Sequence, residues 1–172
     1  PKPQNPMGRH IIDFIQEYNK NMKIFALLAV LLISASAYES YWKKGDDLLT
    51  QFQNGKDEIF VVTFYNPTPV KDDYSRQTEN NRVQDELQSE VLNTYDAKPL
   101  KIRYSSIDTT DRTNDGLLYK AHIKDDLLKE GPVILVTRKG TGHIVWGPTV
   151  VHQTEIFVKE IQDEATEQQK NK

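Results

Sequence analysis

The longest uncharged apolar stretch of the chain lies close to its N-terminus, at residues 24–38. It reads Ile-Phe-Ala-Leu-Leu-Ala-Val-Leu-Leu-Ile-Ser-Ala-Ser-Ala-Tyr. As a helix it covers roughly 22 Å, which is less than the roughly 30 Å of hydrocarbon in a bilayer. Counted from Met22 to Trp42, the helix reaches about 31 Å, which is enough to cross. We therefore expect a single transmembrane helix over residues 22–44.

The residues that flank this run support the same prediction. Lysine side chains extend toward lipid headgroups, and Tyr and Trp concentrate at membrane interfaces. A secretory signal peptide is the competing interpretation, because Ala35-Ser36-Ala37 has the small residues of a cleavage site, and a buried core helix is a further one. We favour the anchor because twenty-one residues precede Met22. The positions assigned to the anchor and its interfacial belt are Lys23, Ile24, Leu28, Leu31, Tyr38, Tyr41 and Trp42.

Residues 1–21 form an amphipathic segment ahead of the anchor. Apolar residues from Ile11 to Tyr18 recur at helical spacing with polar residues between them. This pattern is typical of a helix that lies at a membrane interface or against a partner, and an extension of the anchor helix explains it equally well. Lys and Arg on the N-terminal flank place the N-terminus on the cytoplasmic or matrix side.

Beyond Gly45 the pattern changes to short apolar segments separated by turns. Residues 46–52 predict a short helix with an acidic first turn. Residues 58–65 form a nearly continuous β-branched and aromatic run, which is typical of a central strand covered on both faces. Apolar residues at four-residue spacing from Val83 to Tyr95 then predict an amphipathic helix.

The remaining pattern alternates strands with helices. A last helix contains Ile156, Phe157 and Ile161, and the residues from about Asp163 onward are polar and expected to fray. This order of elements predicts an α/β fold, a three-layer α/β/α sandwich over residues 45–164 followed by a polar tail at 165–172. The segments between the amphipathic helix and the last helix are a strand at 100–107, a helix at 117–128, a strand at 133–136 and a hairpin strand at 143–146.

Charge and composition narrow the possible functions. Residues 1–44 hold six Lys or Arg and three Asp or Glu, whereas residues 45–172 hold sixteen and twenty-two. An acidic domain without a basic stripe lacks the electrostatic footprint of nucleic-acid binding. The sequence contains no cysteine, so it supplies neither a disulfide nor a thiolate nucleophile nor a thiolate metal ligand.

Two stretches of the soluble part resemble the thioredoxin family. Residues 131–147 look like the family's cis-proline loop, strand, glycine turn, strand and closing glycine, with Pro132 at the cis-proline position. Residues 62–72 look like its first central strand and active-site loop. There Thr63 stands where a buried acid is usual, and Pro69 and Asp72 stand where the two cysteines would be. The resemblance implies a thioredoxin-like sandwich preceded by a single transmembrane helix.

The same resemblance implies that the redox chemistry has been lost. Thiol–disulfide exchange requires a thiolate that attacks a disulfide sulfur, and neither cysteine is present. The chain also has no phosphate loop, dinucleotide fingerprint or nucleophile elbow, and its four histidines lack metal-site spacing. We therefore expect no enzyme activity, cofactor, metal or small-molecule substrate. Pro132 either sets a turn before a buried strand or holds an edge to which a segment of another protein pairs.

The leading hypothesis is a structural accessory subunit of a membrane complex, in contact with other membrane-protein subunits and the lipid bilayer. The mitochondrial inner membrane is the expected location, with the domain in the intermembrane space and a respiratory-chain assembly as the complex. The alternative is a redox-dead peptide-binding or chaperone module anchored in the endoplasmic reticulum membrane.

Overall fold

The computed structural model describes residues 42–54, 57–68, 75–96 and 98–170. The predicted order of helices and strands is confirmed over these residues. The helices are α1 (Gly45–Gln53), α2 (Ser75–Glu86), α3 (Asn93–Tyr95), α4 (Asp115–Lys120) and α5 (Val150–Lys170), with a π-helical segment at Leu87–Leu92 and a 3-10 turn at Arg112–Asn114. The strands are β1 (Ile59–Tyr65), β2 (Ile102–Asp108), β3 (Val133–Arg138) and β4 (Thr141–Val145).

The strands form one mixed sheet in the order β2-β1-β3-β4. β1 is parallel to β2 and antiparallel to β3, and β4 is antiparallel to β3. All residues of β1 from Ile59 to Phe64 are buried. A strand that is covered on both faces needs apolar residues at consecutive positions, which is why the uninterrupted run of this strand correctly indicated a central place.

One face of the sheet packs against α2, the π-helical segment and α5. Val83, Leu87 and Val91 contribute buried side chains from the α2 side, and Val158 contributes one from α5. Gln162 is also buried in this layer, and its amide bonds the backbone of the segment that leads into β2. The spacing of these residues gives each helix one apolar face, so the layer buries an aliphatic core.

The other face packs against α1 and α4 and is richer in aromatic residues. The ring of Phe60 has the ring of Phe52 at 5.0 Å in an edge-to-face arrangement, and Leu48 and Leu117 are fully buried nearby. The two helical layers with the sheet between them make the predicted three-layer sandwich.

Asn114 ties α1 to the end of β2. Its Oδ1 accepts a hydrogen bond from the backbone N–H of Gly45 at 2.7 Å, and its Nδ2 donates to the carbonyl of Asp108 at 2.9 Å. A Cβ at Gly45 would lie 2.8 Å from the Cβ of Leu117. Glycine is required there because α1 and α4 approach each other closely.

The structure contradicts the C-terminal end of the predicted anchor helix, which was expected to run to residue 44. The residues from 42 to 44 are not helical, and Trp42, assigned to the interfacial belt, packs its ring 5.9 Å from the ring of Phe60. An indole gains stability from burial against an aromatic core as well as from a membrane interface. Residues 1–41, with every other anchor and belt position, lie outside the described residues. Among the described residues, no helix has the length and apolar character needed to cross a membrane.

Two predicted helix ends differ from the structure. The helix predicted at 117–128 ends at Lys120, because His122 takes a left-handed conformation with φ 55° and the following residues form tight turns. The polar tail predicted from residue 165 is helical to Lys170, and Ala165 is buried. That helix continues because Gln162 and Ala165 lie on the face that contacts the core, where one is hydrogen-bonded and the other is small.

Candidate functional site

The strand register brings Thr63 and Pro132 together at one end of the sheet. Thr63 lies opposite Ser106 of β2 on one side and Ile134 of β3 on the other. Pro132 immediately precedes β3 and is buried. The other two predicted positions, Pro69 and Asp72, lie outside the described residues.

A cavity of about 310 Å³ opens beside these residues, between the sheet and the first turns of α2. Its wall has hydroxyl groups on the sheet side and carboxamides on the helix side, and none of the described residues that form it is charged. The lining consists of Thr63, Tyr65, Gln77, Asn80, Asn81, Gln84, Ser106 and Pro132.

The helix side of the cavity was not predicted from the sequence. Gln77, Asn80, Asn81 and Gln84 recur at intervals of three and four, so a helix places them on one face. Gln77 Nε2 donates to Asn81 Oδ1 at 3.0 Å, and Asn80 Nδ2 donates to the carbonyl of Asn66 at 3.1 Å. The first interaction orders the wall, and the second holds the segment after β1. The signal available in the sequence was this spacing of amides ahead of the apolar positions that begin at Val83.

The hydroxyl side of the cavity contains an unsatisfied polar atom. Thr63 is 4% exposed, and its Oγ1 has no hydrogen-bond partner among the described residues. The buried hydroxyl of Tyr104, on the same face, also lacks one. Burial raises the pKa of Tyr104, and the nearby hydroxyls of Thr63 and Ser106 oppose that rise without reaching hydrogen-bond geometry. Buried polar groups are almost always bonded, so these atoms indicate space for a water molecule or a ligand group.

The peptide bond before Pro132 does not have the cis conformation that the family resemblance implies. The Gly131–Pro132 peptide bond is trans, so Pro132 matches the cis-proline position in sequence alone. Gly131 has φ 138°, and a Cβ there would lie 3.0 Å from Cγ of Glu79. Pro132 also does not lie at a sheet edge, because β3 has neighbours on both sides. Its role is to enter a central strand and to close one wall of the cavity.

Charged residues of α2 pair with one another, and none of them is among the described residues that line the cavity. Arg82 donates to both oxygens of Glu79 at 2.9 and 2.6 Å and also bonds Glu86 at 2.5 Å. These bonds with Arg82 hold the pKa of Glu79 below its usual value. Among the described residues no group of three His, Asp or Glu side chains is arranged to hold a metal ion. The described residues of the cavity therefore offer neutral donors and acceptors, which suit uncharged polar groups such as peptide amides.

The comparisons with known proteins concern the fold. No protein-family model matches the chain, and no curated protein is detectably similar to it. A designed protein matches at 16% identity, covering 72% of this chain and 95% of that one, with a TM-score of 0.50. A reduced thioredoxin pre-protein from Schistosoma mansoni matches at 18% identity over 70% and 94%, with a TM-score of 0.47. Thioredoxin O2 from Arabidopsis thaliana matches at 13% over 67% and 87%, with a TM-score of 0.46.

The fold is thioredoxin-like. The sheet order, the strand directions and the helices on both faces are the features that carry this conclusion, and the predicted sandwich is confirmed. In this thioredoxin-like domain the end of β1 adjoins a cavity whose described lining residues are uncharged, and the sequence has no cysteine.

Proposed function

We propose that the protein is a non-catalytic accessory subunit of a membrane protein complex, in which the thioredoxin-like domain acts by binding. The observation that carries this proposal is a retained fold whose cavity, at the described residues, has neither a thiol nor a charged group. Exchange of disulfides needs a thiolate. The titratable side chain among the described residues of the cavity is Tyr65, and burial raises its pKa, so it stays a neutral phenol. Shape and hydrogen-bonding surface are the properties that remain for function.

The membrane part of the proposal is supported by the apolar run at residues 24–38. The run alone is shorter than the hydrocarbon core, and Lys23, Tyr38 and Tyr41 at its two ends extend it toward a single crossing. The amphipathic pattern of residues 1–21 adds a second surface for lipid or partner contact. We place the protein in the mitochondrial inner membrane, with the domain in the intermembrane space, and a respiratory-chain assembly is the proposed complex.

Native electrophoresis of detergent-solubilised mitochondrial membranes tests this proposal. The tagged full chain should migrate with a large assembly, and mass spectrometry of that band should identify its neighbours. A tagged chain that lacks residues 1–41 is the matched control and should be absent from the band. Migration of the full chain on its own would contradict the proposal.

The alternative function is peptide or client binding in the endoplasmic reticulum membrane. The specific observation that favours it is the cavity beside Pro132, whose described lining is uncharged and includes a Thr63 hydroxyl with no partner among those residues. In that case Pro132→Ala should reduce client crosslinking several-fold while assembly into a membrane complex stays unchanged. Pro148→Ala, at an exposed proline after β4, is the control. Equal crosslinking by both variants would remove this alternative.

A further inference from the structure

β4 is one of the two edge strands of the sheet, the other being β2. β4 pairs with β3 through five consecutive residue pairs and has no described partner on its other side. Its sequence, Thr-Gly-His-Ile-Val, contains no charged residue and no proline, and residues 141–143 are exposed. Proteins normally block such edges with lysine, proline, a bulge or a covering element, because the free N–H and C=O groups pair with other strands.

A largely apolar cleft of about 220 Å³, which Lys120 and His122 also line, lies on the α1 and α4 face next to this edge. Leu49 and Phe52 of α1 form one wall, and Leu135 of β3 and Ile144 of β4 form the floor. All four side chains are only partly buried. A side chain that projects from an added strand toward this face would complete their burial, which favours an apolar residue.

An acidic cleft of about 260 Å³ lies on the opposite face, between β4 and α5. Its base is the ring of His143, which stacks on Phe157 at 4.1 Å, and its far wall carries Glu160 and Glu164. Neither carboxylate forms an ion pair with a described residue. Arg138 also borders this cleft and interacts electrostatically with Glu164, but its guanidinium is held by Asp57 through bonds of 2.7 and 3.0 Å. Asp57 also pairs with Lys139 at 3.0 Å, so the excess negative charge of the cleft comes from Glu160 together with Glu164.

We propose that the β4 edge binds an extended segment of another protein chain that alternates apolar and basic side chains. Successive side chains of a strand point to opposite faces, so such a segment places apolar residues in the apolar cleft and Lys or Arg beside Glu160 and Glu164. The backbone of the segment pairs with β4 as a fifth strand. A second copy of β4 does not fit as well, because its sequence brings no Lys or Arg to the two glutamates.

A peptide assay on the full chain in detergent micelles tests this proposal. The probe is a short blocked peptide that alternates valine and lysine, and the control peptide alternates valine and glutamate. We expect the lysine peptide to bind at least about tenfold more tightly by fluorescence anisotropy, because like charges in the acidic cleft oppose binding. It should also slow hydrogen exchange at the amides of β4. N-methylation of alternate backbone amides in the peptide should abolish both effects.

Charge reversal supplies the sharpest control. Glu160→Lys with Glu164→Lys should invert the preference, so that the glutamate peptide binds more tightly. Asp85→Lys with Glu90→Lys makes the same change in net charge at exposed positions that do not line the cleft and should leave the preference as it was. An unchanged preference in the first variant, or equal binding of the N-methylated peptide, would overturn the proposal. A dimer that the lysine peptide fails to displace would overturn it in favour of self-pairing.

This inference rests on the proposed function in one respect, which is that the domain acts by binding. The two fail separately. A chain that migrates alone on a native gel contradicts the accessory-subunit role and leaves the peptide result standing. A membrane complex that forms normally with the charge-reversed variant, together with no peptide preference, contradicts the β4 site alone.

Discussion

Gln162 and Thr63 are both buried polar residues on the same side of the sheet. The side chain of Gln162 is fully hydrogen-bonded, whereas that of Thr63 has no partner among the described residues. Gln162 Oε1 accepts from the N–H of Leu100 at 2.9 Å, and its Nε2 donates to the carbonyls of Leu100 and Tyr95 at 2.9 and 3.0 Å. Thr63 Oγ1 has no hydrogen-bond partner in the part of the chain that the structure describes. The Gln162 amide closes the segment between α3 and β2, which is a structural task. The Thr63 hydroxyl borders the cavity instead.

Removal of the Gln162 amide should have the largest effect. Gln162→Leu leaves the backbone groups of Leu100 and Tyr95 without partners in a buried layer, and each unpaired group costs on the order of 1 kcal/mol or more. We expect the free energy of unfolding to fall by about 2–4 kcal/mol in urea denaturation. Gln169→Leu, at an exposed position of the same helix, should change it by less than about 0.5 kcal/mol. A loss below about 1 kcal/mol for Gln162→Leu would remove the contrast with Thr63.

Substitution of Gly131 tests how tightly the residue before Pro132 packs against Glu79. Gly131→Ala places a Cβ 3.0 Å from Glu79 Cγ at a backbone φ of 138°, so both sterics and backbone conformation oppose it. We expect a loss of roughly 2 kcal/mol, against about 1 kcal/mol for Gly140→Ala, which has φ 79° and no neighbouring atom within 4 Å. Thermal unfolding of the two variants measures the difference. Equal losses would show that the side chain of Glu79 moves aside at little cost in stability.

Asp57 provides an intermediate case, a polar side chain that is well bonded but exposed. Hydrogen bonds from Arg138, opposed by partial burial and assisted by Lys139, lower the pKa of Asp57 to about 2. A carboxyl whose pKa is lower in the folded state stabilises the fold above its unfolded pKa, near 4, and loses that contribution as pH falls toward 2. Because the side chain is 44% exposed, we expect less than about 1 kcal/mol. Asp57→Asn should therefore be slightly less stable at neutral pH and equal to the original protein near pH 2, by urea titration across that range.

The sequence predicted the fold better than the site, and particular residues show why. Ile59 to Phe64 are consecutive and apolar, and only a strand covered on both faces accommodates such a run, so the centre of the sheet was determined locally. In the sequence alone, Gln77, Asn80 and Gln84 look like ordinary surface residues. They line a cavity because the strand register places Thr63 and Ser106 opposite them. That juxtaposition depends on contacts distant in sequence. The prediction for Trp42 was wrong for the same reason. Its ring packs against Phe60, which is distant in sequence, and this contact is not visible in the pattern that suggested a membrane interface.

Thr63→Val should have the smallest effect, and it tests the comparison most directly. Valine has nearly the same shape as threonine and removes only the hydroxyl, for which the described part of the chain provides no hydrogen-bond partner. We expect the free energy of unfolding to stay the same or to rise by up to about 1 kcal/mol, because a buried unpaired polar group is unfavourable. Thr154→Val is the matched control, because the buried hydroxyl of Thr154 donates to the carbonyl of Val150 at 2.8 Å; that variant should lose about 1 kcal/mol. If Thr63→Val loses as much as Thr154→Val, the hydroxyl of Thr63 is bonded in solution to a water molecule or ligand in the cavity, and the two buried residues have the same status after all.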